Sequence, residues 1–150
     1  MGQITGIARH ARPRGAIEEL DSVGVTIEGG LDGDFRGLVK PGGRGRRQVS
    51  LIERGDWDAA MAQLGLDLAW SVRRVNLLVD GLDLPQLPGA RLRIGGVVLE
   101  ITMECDPCSR MDAIAPGLCA ALTPDWRGGV LTRVIAGGTI SRGDTVLVEE

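Results

Sequence analysis

The chain has 150 residues, with 17 Lys and Arg against 20 Asp and Glu for a formal net charge of −3, one His and three Cys. That length fits one domain over residues 1–150 with a core large enough to fold without disulfides. The acidic balance argues against nucleic-acid binding through a basic surface, and no apolar run reaches the about 18 residues of a membrane span. An odd cysteine count without a recognisable secretory leader points to a reducing cytoplasm.

Twenty-three glycines, and short apolar runs ending in turn signals, predict a mainly β chain with few helices. Strands are expected over Gln3–Ala8, Gly24–Ile27, Gln48–Ile52, Val75–Val79, Arg91–Ile94, Val97–Met103, Val130–Ile135 and Thr145–Val148. His10, in Arg9-His-Ala-Arg-Pro13, reads as an exposed loop residue, so Ser-His-Asp and Cys-His mechanisms lack support. Between Phe35 and Ile52, Arg36, Lys40, Arg44, Arg46 and Arg47 stand with no carboxylate among them. This run suits either an anionic ligand such as phosphate or a solvated loop around Pro41-Gly42-Gly43. Asp56 is expected to cap a helix whose Trp57, Ala60, Met61 and Leu64 form a core stripe, with Gly65 ending it.

Alternation in the fourth strand places Val75, Leu77 and Val79 on one face and Arg74, Asn76 and Leu78 on the other. A cation and an amide then share a side, either as the polar lining of a ligand cavity or as an exposed sheet face. Gly95-Gly96 predicts a two-residue hairpin. The stretch from Leu99 to Asp112 ends an apolar run in Cys105-Asp-Pro-Cys108. Ser109 and Asp112 form an N-capping pattern, so Cys108 is expected beside a helix start with Arg110 close by, conditions that favour a thiolate. Glu104 and Asp106 flank Cys105 and oppose its ionisation. Cys119 reads as a small buried apolar residue.

In their order and spacing these segments resemble the MOSC family, the domain that also forms the C-terminal part of molybdenum cofactor sulfurases. The resemblance is carried by Gly29-Gly-Leu-Asp-Gly-Asp34 with Arg36, Arg47-Gln-Val-Ser-Leu-Ile-Glu53, Arg73-Arg-Val-Asn-Leu-Leu-Val79 and Pro107-Cys108, then by Gly137-Gly-Thr-Ile-Ser-Arg-Gly-Asp144. Where many members carry His after the Gly-Asp pair, this chain has Phe35-Arg36-Gly37. The pyridoxal-phosphate desulfurase domain and the additional N-terminal β-barrel domain of larger relatives are not recognisable, so a stand-alone module is expected.

The resemblance implies a β-barrel-like fold and a bound molybdenum cofactor (molybdopterin). Cys108 would ligate the metal, Arg36, Arg47 and Arg74 would bind phosphate and pterin oxygens, Asn76 would orient the ligand, and Asp34 would accept hydrogen bonds or move protons near the metal. Arg74 and Asn76 are then expected to share a cavity with Cys108, with Arg36 or Arg47 at its rim. Two functions follow. One is reduction of N-hydroxylated small molecules with electrons from a donor protein, and the other is sulfur carriage as a Cys108 persulfide loaded by a cysteine desulfurase. A zinc or redox Cys-x-x-Cys module is the third reading, for which Cys119 and His10 are the sole further ligands of the usual type.

Overall fold

Short apolar runs punctuated by glycine favour short strands, and the computed structural model, which describes residues 1–149, is built mainly of them. In chain order the strands are β1 (Gly2–Arg9), β2 (Glu18–Glu19), β3 (Ser22–Thr26), β4 (Gly30–Leu31), β5 (Val49–Glu53), β6 (Leu77–Asp80), β7 (Arg91–Ile94), β8 (Val97–Glu104), β9 (Val130–Ala136), β10 (Gly138–Ser141) and β11 (Thr145–Glu149). Three helices accompany them: α1 (Arg54–Leu64), α2 (Arg110–Ile114) and α3 (Leu118–Leu122).

Seven strands close a barrel in the order β1-β11-β7-β8-β9-β5-β6, with β6 returning to β1. Its neighbours are antiparallel except β5 and β6, which run parallel because α1 carries the chain back between them. The barrel is a filled core in which Ile4, Leu51, Leu77, Leu92, Leu99 and Val146 are among the fully buried residues. A small sheet of β10, β3 and β4 adds Val23, Val25, Leu31 and Ile140 to that core. On the barrel's outer side Ile52 and Leu78 join Trp57, Ala60 and Met61 of α1 and Leu118 and Leu122 of α3 in a second cluster.

The eight expected strands are all present, shifted by one or two residues at their ends. Ile94 and Val97 pair directly across Gly95-Gly96, and Gly95 supplies the positive φ that the turn requires. The strands β2, β4 and β10 were not read from the sequence. Two of them are two residues long, and β10 follows β9 after one residue, Gly137, where the chain leaves the barrel for the small sheet. A Cβ at Gly137 would lie 2.6 Å from the Val25 carbonyl oxygen, so the close approach of the two sheets needs glycine there.

Two local expectations are corrected. Helix α1 begins at Arg54 with Glu53 in the N-cap position and no side-chain cap, so Asp56 lies inside the first turn; Gly65 ends the helix in the left-handed region as expected. The strand β6 begins only at Leu77, because Arg74 has φ of 66° at the end of a 3₁₀ turn over Trp70–Arg73. The alternation therefore fails at its start: Val75 packs with Leu78 in the outer cluster, while Leu77 and Val79 fill the barrel. Leu78 is buried, so this is not an exposed sheet face.

Candidate functional site

One rim of the barrel is held together by a single amide. Asn76 Oδ1 accepts from the Ser50 N–H at 3.0 Å and its hydroxyl at 3.1 Å, and Nδ2 donates to the Ala8 carbonyl at 3.1 Å. Buried Asn76 thus ties β1, β5 and β6, and one Nδ2 hydrogen is left to face outward. The loop after β4 is latched to the same rim: the His10 N–H donates to Asp34 Oδ1 at 2.9 Å and the Phe35 N–H donates to the His10 carbonyl at 2.8 Å.

Above this rim lies a cavity of about 1010 Å³. Its walls include Cys108, Asp34, Arg36, Arg47, Arg74 and Asn76, so the six residues to which the family resemblance gives roles border one space. Lys40, Arg44 and Arg46 do not line it, and those members of the basic run belong to the exposed loop. Six arginines border the cavity against two aspartates, Asp34 and Asp106, a strong local cationic excess in a chain of net negative charge. The Arg36 guanidinium sits 5.3 Å from the centre of the Phe35 ring, which braces it at the wall.

Among the lining residues that the sequence reading did not assign to the site are His10 and Arg73. His10 is not an exposed loop residue: it is 3% exposed, with Nδ1 3.4 Å from Asp34 Oδ1. Its in-phase spacing with Ala8, two residues back along β1, was the available signal, masked by Arg9, Arg12 and Arg14 around it. Arg73 was read only as part of a motif. It is buried under the site, with Nη2 donating to the Cys105 carbonyl at 2.9 Å and the Gly128 carbonyl at 3.2 Å, and lying 3.4 Å from Cys105 Sγ.

The three thiols are sorted by position. Cys105 is buried against Arg73, Cys119 is half-buried with Sγ 3.7 Å from the Pro107 carbonyl, and Cys108 is exposed on the cavity wall. The expected cap beside Cys108 is not formed. Ser109 makes no side-chain cap, Asp112 instead accepts the Cys119 N–H at 3.1 Å, and α2 is five residues long. Burial, and then the adjoining Asp106 carboxylate, hold the Glu104 carboxyl above its usual range. Among the described residues no group of three or more His, Cys, Asp or Glu side chains is assembled as a metal site, so a zinc donor set is not in place.

Among the described residues, three buried side-chain atoms that can hydrogen-bond have no partner: His10 Nε2, Arg73 Nε and Arg74 Nη2. All three belong to residues that line this cavity. Leaving such a group unpaired costs about 1–3 kcal/mol, more for a charged one, so their gathering in residues of one cavity sets it apart from the rest of the described structure.

Residues 27–147 match the family model for the MOSC domain. Among solved structures the chain is similar to the YuaD protein of Bacillus subtilis, at 20% identity and a TM-score of 0.78 over 97% of this chain and 94% of that one. It is also similar to YiiM from Geobacillus stearothermophilus (17% identity, TM-score 0.74, 100% of this chain and 76% of that one) and to YiiM from Escherichia coli (17%, 0.70, 99% and 70%). A search of curated proteins gave no match.

Proposed function

This chain belongs to the MOSC domain family, and from that premise we propose that its cavity binds a pterin-type molybdenum cofactor, with Cys108 as the metal's protein ligand. The observation that carries the reading is that three unpartnered buried nitrogens all belong to residues lining the cavity whose wall bears the exposed Cys108. The donor set fits the group: a soft thiolate for molybdenum, and guanidinium groups, always charged and fork-shaped, for phosphate and ring oxygens.

In this reading Arg36, Arg47 and Arg74 hold the anionic and carbonyl oxygens, and buried Arg73 adds a second cation behind Arg74. Asn76 fixes the rim and offers its remaining N–H. Phe35, Met111 and Ile114 give the cavity an apolar side that suits the non-polar part of a small substrate. The bound group would supply two-electron oxygen-atom transfer, and the substrate class is an N-hydroxylated small molecule reduced with electrons from a donor protein. The exposure of Cys108 favours a second reading, in which a cysteine desulfurase passes it a sulfur atom as a persulfide for delivery to a metal centre.

The two are separated by protein purified from a host that makes the cofactor. Cofactor binding is expected to show as molybdenum and pterin that Cys108→Ser loses, and as turnover of an amidoxime or N-hydroxylated base with a chemical reductant. If the loaded wild type turns over no faster than Cys108→Ser, the reductase reading falls. A cyanide-labile sulfur on Cys108, with little metal, would then point to carriage.

A further inference from the structure

We propose that His10, held by Asp34, is the proton-carrying group of the cavity, presenting Nε2 to an oxygen of the bound ligand or substrate. The inference rests on the reading of this cavity as a ligand site and adds to it the group that exchanges protons there.

His10 is the chain's one histidine, is 3% exposed and lines the cavity, yet Nε2 has no hydrogen-bond partner within the protein. A buried imidazole with one nitrogen unpaired is built to meet something else. Its other nitrogen is oriented from within: Nδ1 lies 3.4 Å from Asp34 Oδ1, and the same oxygen accepts the His10 main-chain N–H at 2.9 Å. A carboxylate at Nδ1 favours keeping the proton on that nitrogen, which makes Nε2 the position where a proton is gained or released.

The surrounding charges leave this task to His10. Facing the cavity are Arg14 from its own segment, Arg36 from the loop after β4, Arg47 ahead of β5, Arg73 and Arg74 from the 3₁₀ turn, and Arg110 at the start of α2. None of these guanidinium groups releases a proton near neutrality. The carboxylates are Asp34, whose Oδ1 is occupied by His10, and Asp106, which neighbours Cys108 in its loop. Six fixed cations draw an oxyanion inward, and an anion beside Nε2 in turn favours the imidazolium that donates to it.

For an N-hydroxylated substrate the overall change is R–NH–OH + 2 H⁺ + 2 e⁻ → R–NH₂ + H₂O. The N–O bond breaks, its oxygen leaves as water, and both electrons come from a one-electron donor protein or a chemical reductant. His10 delivers one of the two protons from Nε2 to the departing oxygen and is recharged from solvent, which supplies the other.

A single histidine makes the test direct: nitrogen-15 imidazole spectra of the metal-free protein, recorded from about pH 5 to pH 9 with and without inorganic phosphate. The neutral ring is expected to carry its proton on Nδ1. Phosphate should raise the titration midpoint by about half a unit, roughly a threefold gain in proton affinity. Asp34→Asn keeps an acceptor for the His10 main-chain N–H but removes the charge beside Nδ1, and should weaken the preference of the neutral ring's proton for Nδ1. A neutral ring protonated on Nε2, no titration in that range, or a midpoint indifferent to phosphate overturns the proposal. In loaded protein His10→Gln should slow turnover by about 100-fold or more and flatten its pH profile, because Gln cannot carry the proton. An active enzyme whose His10→Gln form keeps the wild-type profile rejects this inference and spares the cofactor reading. Phosphate-responsive His10 in a protein that never takes up molybdenum does the reverse.

Discussion

Cys108 stands just before the start of α2 and shares the cavity wall with Arg110, although Ser109 forms no side-chain cap there. Glu104 and Asp106 do flank Cys105, but what sets that thiol apart is its burial, beside Arg73, a residue 32 positions away that no local reading brings to it. What distinguishes Cys108 is its exposure on the cavity wall. Timed alkylation at neutral pH with mass mapping is expected to label Cys108 first, Cys119 next and Cys105 last, since a buried thiol must wait for local opening. Labelling of Cys105 ahead of Cys108 would contradict this order. Asn76 teaches a related lesson: it does share the cavity with Arg74, but its role as the tie between three strands depends on partners at Ala8 and Ser50 that spacing does not reveal.

The strands of the barrel were legible because each is an apolar run of four or more residues ending at turn residues, whereas β10, also four residues long, was not; the hairpin at Gly95-Gly96 was legible from its two glycines. The start of β6 was misread because period-two alternation assumes extended backbone, and a left-handed Arg74 breaks it. The start of α1 carries a consequence of its own. Glu53 is half-buried at the N-cap, where burial first and then the nearby Asp56 and Asp83 carboxylates push its carboxyl up to about 7, against a lowering effect from the Leu84 N–H that it accepts at 3.1 Å. A folded-state value above the unfolded one means that the folded chain holds the extra proton. The associated stability is present below about pH 4.5 and is lost as pH rises through about 7. Glu53→Gln, which retains an acceptor for Leu84, is therefore expected to raise the melting temperature at pH 8 and to leave it nearly unchanged at pH 4.5. An equal effect at both values would show that the charge is not the cause. Gly128 is a second sensitive point, because a Cβ there would lie 2.6 Å from the Cys105 carbonyl and 3.1 Å from Arg73 Nη2. Gly128→Ala is expected to cost about 1–3 kcal/mol in denaturant unfolding by forcing those two groups apart.

At the scale of the whole molecule, a barrel with helices packed on one flank gathers residues from the ends of β1, β4, β6 and β8 around one opening, and this long-range meeting is what sequence spacing cannot supply. The cationic excess it creates predicts that sulfate raises the melting temperature beyond chloride at equal ionic strength, by binding the folded state alone, and that Arg74→Gln reduces the gain. No difference between the two salts in the wild type would argue against an anion site. The closure of the barrel also sets how the chain answers to force. Gly2 pairs with Val146 and Gln3 with Thr145, so the start of the first strand lies beside the start of the last, and the two run antiparallel from there. Tension applied between residues 2 and 149 pulls across this short seam and peels its hydrogen bonds one after another instead of shearing them together. A molecule stretched by these two points in an optical trap is thus expected to open at low force from β1 and β11, while the same pull applied between β5 and β8, through the centre of the sheet, meets far more resistance.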